Sequence, residues 1–108
     1  MTWHAALQDY INYLKIERGL STNSIKSYSY DVEKLMEYLD ANAIQVSPLK
    51  IETDIIKKFI YDVAKDVNER SQARLISGLR SFFSYLIFED YRDVNPLDLI
   101  ESPKIGRK

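Results

Sequence analysis

The sequence predicts an all-α fold: a single compact bundle of four main helices plus a short C-terminal helical turn. Three observations lead there. Apolar residues recur at spacings of three and four in four separate stretches, which is the period of one helix face. No stretch alternates apolar and polar residues as a half-buried strand would. Glycine and proline number only 3 each, too few for the turn-rich chemistry of a β-sandwich. The length of 108 residues suits one small domain.

In the first stretch Trp3, Leu7, Tyr10 and Leu14 mark one face, with Ala6 and Ile11 on its flanks. Thr2 is placed to cap this helix and Gly19 to end it in a left-handed conformation. The second helix begins at Ser21 and runs to about Asp40. Its core stripe is Ile25, Tyr28, Val32, Leu35, Met36 and Leu39, which fall within an arc of about 100°. Asn42 and Pro48 mark the loop that follows. The third helix starts after Thr53, read as its cap, with Asp54 in the first turn. Ile56, Phe59, Ile60, Val63 and Val67 form its apolar face, and Asn68 interrupts the pattern. The fourth helix, from about Ser71 to Glu89, is the most apolar, with Leu75, Ile76, Leu79, Phe82, Phe83 and Leu86 toward the core. Gly78 sits in its middle at a cost of about 1 kcal/mol relative to alanine, which a close helix crossing would explain. Asn95-Pro96 breaks the chain, Leu97 to Ile100 form a short turn, and residues 102–108 read as the start of a linker after a domain of residues 1–101.

Composition excludes several classes of function. There is no cysteine, hence no disulfide framework and no thiolate zinc site. His4 is the single histidine, so a multi-histidine metal site is excluded as well. No cofactor loop and no catalytic triad is recognisable, and no cofactor is expected. No apolar run approaches the roughly 20 residues of a membrane span, and the start lacks the apolar region of a signal peptide. The expectation is a cytoplasmic chain with no membrane partner.

The net charge of -1 hides an uneven distribution. From 18 to 30 the charged residues are Arg18 and Lys26, and from 70 to 88 they are Arg70, Arg74 and Arg80, with no carboxylate in either segment. Between them nine acids face five lysines. Local fields of this kind, more than net charge, decide whether a polyanion can dock. The two basic segments fall on outward helix faces. Opposite the core stripe of the second helix lie Asn23, Lys26, Ser27, Tyr30 and Lys34. Opposite that of the fourth lie Arg70, Arg74, Ser77, Ser81 and Ser84, with Arg80 on the shoulder. Serines allow close approach and hydrogen-bond phosphate, while arginines reach phosphates or guanine edges.

Three stretches resemble the tyrosine recombinases, closest to their Xer-type members. The first is Glu17-Arg18-Gly19-Leu20-Ser21-Thr22-Asn23-Ser24-Ile25 with Tyr28, Asp31 and Val32. The second runs from Ser71-Gln72-Ala73-Arg74-Leu75-Ile76-Ser77-Gly78 to Leu79-Arg80-Ser81-Phe82-Phe83-Ser84-Tyr85-Leu86. The third is Asn95-Pro96 with Ser102-Pro103-Lys104. Ser24 stands where the family usually has threonine, and Gly78 where it has alanine. The resemblance implies the N-terminal core-binding, SAM-like domain: four or five helices forming half of a C-shaped clamp, with the second and fourth helices facing the major groove. It implies double-stranded DNA, other recombinase protomers and the protein's own catalytic domain as partners. That domain would begin after about Lys108, so no catalytic residue is assigned here and the chain alone is not expected to cleave DNA.

The residues expected to meet phosphates are Lys26, Arg70, Arg74, Arg80, Lys104, Arg107 and Lys108. Those expected to hydrogen-bond groove or backbone are Thr22, Asn23, Ser27, Tyr30, Ser71, Gln72, Ser77 and Ser81. The alternative is a helical protein-interaction module without DNA binding, which an exposed apolar patch would favour.

Overall fold

Helix α1, Trp3–Ile16, starts where Thr2 stops being helical and its side chain accepts the backbone N–H of Ala5 at 3.1 Å. In a computed structural model, which describes residues 1–100, three more helices follow: α2 Thr22–Ala41, α3 Thr53–Val63 and α4 Glu69–Phe88. Among the described residues there is no strand. The chain turns after α1 at Gly19, whose φ of 60° is open to glycine without a Cβ penalty. Ser21 caps α2 by accepting Ser24 N–H.

Helix α4 is the spine of the core. Leu75, Ile76, Leu79, Phe82, Phe83, Tyr85 and Leu86 are all buried on it. Tyr10 and Leu14 of α1, Val32 and Leu35 of α2, and Ile56 and Phe59 of α3 close around that spine. Each such side chain contributes roughly 1.5–3 kcal/mol by leaving water. Trp3 stacks on Phe82 at 6.1 Å between ring centroids and meets Phe83 edge-on at 6.4 Å. Its indole N–H donates to the Val46 carbonyl at 2.7 Å, which fastens the α2–α3 loop to the start of α1.

Two expected helix starts move. Asn68, not Ser71, caps α4: its side chain accepts Ser71 N–H at 2.9 Å, so the helix begins earlier and takes in Glu69. The first turn of α4 is therefore not free of acid. Thr53 does not cap α3. Glu52 holds that position without a side-chain bond, and the Thr53 hydroxyl donates instead to the Pro96 carbonyl at 2.9 Å. The mid-helix glycine has the expected cause. Helices α2 and α4 cross at Gly78, and a Cβ there would overlap the Asp31 carboxylate.

Candidate nucleic-acid interface

The crossing of α2 and α4 brings their N-terminal halves together. One shallow cleft is lined by Ser24, Ser27, Tyr28, Arg74, Ser77 and Gly78. A second shares Ser27 and Arg74 with it and continues past Tyr30, Lys34 and Ser71 toward Val63 and Val67. Ser27, Tyr30, Ser71, Arg74 and Ser77, all expected from sequence, thus converge on one groove. The close approach follows from residue size: Ser24, Ser27, Ser77 and Gly78 let two helices meet with few long side chains between them.

Four more expected residues stand on the same two helices. Thr22, Asn23 and Lys26 are exposed in the first turns of α2, and Arg70 is exposed in the first turn of α4. Among the described residues neither Lys26 nor Arg70 has an ion-pair partner, so both present full positive charge to solvent. Tyr30 is 56% exposed, with the Lys34 ammonium 5.4 Å from its ring centroid. Lys34 belongs to the outward face of α2 read from the sequence but not to the expected contacts. Its signal was its position one turn beyond Tyr30 on the same helix face.

Arg74 differs from the other cations. Its Nη1 donates to Asp31 Oδ2 at 2.6 Å, and its guanidinium lies 5.9 Å from the Tyr28 ring centroid. Asp31 is only 4% exposed, while the Arg74 side chain remains 46% exposed. Burial pushes the Asp31 carboxyl above its ordinary range, against the hydrogen bond and charge of Arg74, which pull it back. In the sequence Asp31 stands out only through the family-like stretch it belongs to.

Two expected contacts are committed inside the protein. Arg80 Nη2 donates to the carbonyls of Leu97 and Ile100, both at 3.0 Å. Ser81 shares a 2.8 Å hydrogen bond with the buried Tyr10 hydroxyl. A shoulder position on the helix sends Arg80 sideways to the 95–100 turn, and Ser81 lies against α1. Gln72 is half-buried and lines neither cleft. Lys104, Arg107 and Lys108 lie outside the described residues, as does the expected linker.

Ile16 and Phe88 are 75% and 68% exposed, pointing away from the core. Among the described residues no group of three or more His, Cys, Asp or Glu side chains could hold a metal ion. Among them, too, no helix is long and apolar enough to cross a membrane.

The family described as phage integrase, N-terminal SAM-like domain, matches residues 7–90. A tyrosine recombinase XerD of Listeria monocytogenes is 35% identical over 99 residues, covering 91% of this chain and 33% of the relative. A tyrosine recombinase XerC of Leptospira interrogans is 34% identical over 100 residues, covering 92% and 32%. A tyrosine recombinase XerC of Thermodesulfovibrio yellowstonii is 33% identical over 102 residues, covering 94% and 32%. The chain spans about a third of the length of these curated relatives. No solved structure gave a significant match.

Proposed function

From the premise that this chain belongs to the phage integrase N-terminal SAM-like domain family, we propose that it is the DNA-binding part of a site-specific tyrosine recombinase. It lays the N-terminal halves of α2 and α4 against duplex DNA, in the cytoplasm, while strand cleavage resides elsewhere in the recombinase. The carrying observation is the convergence of Ser27, Tyr30, Ser71, Arg74 and Ser77 on one groove, flanked by Lys26 and Arg70, which have no ion-pair partner among the described residues. Short polar side chains permit close approach to a sugar–phosphate backbone. The two flanking cations supply the sequence-independent attraction that dominates affinity for DNA. Arg80 and Ser81 are left out of the contact set, since each already has partners inside the fold. Exposed Ile16 and Phe88, at the far ends of α1 and α4, offer apolar surface for other protomers on paired sites.

Because attraction to phosphate releases counterions, affinity should fall as salt rises. Lys26→Ala plus Arg70→Ala should reduce the slope of log K against log salt by about 2 units, near 0.9 per phosphate contact. Fluorescence anisotropy with a labelled mixed-sequence duplex measures this. An unchanged slope would remove these two helix faces from the contact.

A further inference from the structure

We infer that Asp31 is a positioning residue for nucleic-acid binding: it fixes the Arg74 guanidinium so that the outer edge of Arg74 faces the α2–α4 groove. This rests on the proposed DNA-binding role of that groove. A guanidinium carries five N–H donors in a rigid planar fork. One terminal nitrogen of Arg74 is held by Asp31 at 2.6 Å, and the Tyr28 ring flanks the group at 5.9 Å. The remaining donors have no protein acceptor among the described residues, and the side chain is nearly half exposed beside Ser27 and Ser77. Gly78 completes the arrangement. Only a residue without a Cβ leaves space for the buried carboxylate at the helix crossing.

Two consequences separate this role from simple charge. The ordering of a long side chain is completed during folding and need not be repeated on binding. In addition, the pair is close to neutral, so Arg74 brings directed N–H donors without the net charge that Lys26 and Arg70 bring. Coulomb attraction alone therefore predicts that removing the Asp31 charge tightens duplex binding. Positioning predicts the reverse.

The test uses the full 108-residue chain, a mixed-sequence DNA duplex, and a double-mutant cycle. Asp31→Asn keeps the shape and one acceptor, and circular dichroism verifies its helices. It should weaken duplex binding about fivefold, the scale of one ordinary hydrogen bond. The same change in an Arg74→Ala background should alter binding by less than about twofold, because the effect runs through Arg74. Binding by Asp31→Asn that equals or exceeds that of the native chain overturns the positioning role. So does equal weakening in both backgrounds. A second readout needs no change at residue 31: the Arg74 guanidinium resonance of the native chain should shift on adding duplex, and an unmoved resonance overturns the proposal. If the native chain binds no duplex, the DNA-binding role itself falls, an outcome distinct from the other results.

Discussion

A single guanidinium, Arg80, holds the 95–100 turn against α4. It reaches the Leu97 and Ile100 carbonyls, while Asn95 Nδ2 donates back to the Arg80 carbonyl at 3.0 Å and to Ser84 Oγ at 3.1 Å. Arg80→Ala should take the charged donor from the Leu97 and Ile100 carbonyls, leaving Leu97 only the backbone N–H of Ile100, and cost about 2 kcal/mol of stability. The salt slope of duplex binding should stay as it is. Thermal unfolding and anisotropy titration check the two halves, and normal stability with a flattened slope would reverse the assignment. The residue scale is where the sequence was least legible. Arg74, Arg80 and Ser81 look alike as outward cations and hydroxyls, yet their partners lie 43, 17 to 20, and 71 residues away in the chain. Helical angle alone carries no information about such partners, and both acceptors of Arg80 among the described residues are backbone carbonyls, which no side chain announces.

Helix ends show the same split between local and distant causes. Thr2, Gly19 and Ser21 act as their residue types suggest, because capping and left-handed turns are decided within a few residues. The close of α2 is different. Asn42 is its last cap, Ala43 N–H reaches the Asp40 carbonyl, and Ile44 N–H reaches that of Leu39, both through a left-handed Ala43 at φ 54°. Asp90 closes α4 in the same manner at φ 64°. Nothing in an alanine signals that conformation, and the fold imposes it because Ile44 must return to the core. Ala43→Gly should raise stability by about 1 kcal/mol, since glycine adopts this backbone without steric cost. A higher urea midpoint at unchanged m-value would show it. No gain would mean that alanine is not strained there.

Across the whole molecule the legible part was the core. Every residue expected to face inward from α4 is buried there, because a period of 3.6 residues and a shared apolar interior leave few other solutions. The same interior governs behaviour in base. Burial pushes the Tyr10 hydroxyl up to about 12 from an ordinary 10.0, opposed in part by its bond to Ser81, and pushes Tyr85 to about 12 as well. In the unfolded chain both ionise at their ordinary value, so between that value and about 12 the unfolded state holds fewer protons. Stability is therefore complete below pH 10, falls through that window and is lost as pH passes about 12. Tyrosinate absorbance should rise in two steps, the later one coinciding with loss of helical circular dichroism. A single early step in a chain that keeps its helices would contradict the burial argument.

The hydrogen bond from Trp3 to the α2–α3 loop has a practical reach of its own. Trp3 is the sole indole in the chain, seated on Phe82 and Phe83 and lining neither cleft of the α2–α4 groove. Its emission is a native optical gauge of whether α1, the loop and α4 are assembled. A nucleic acid lying in the groove has no reason to quench it. Folding and docking can therefore be followed in one cuvette on two separate colours, without any label on the protein.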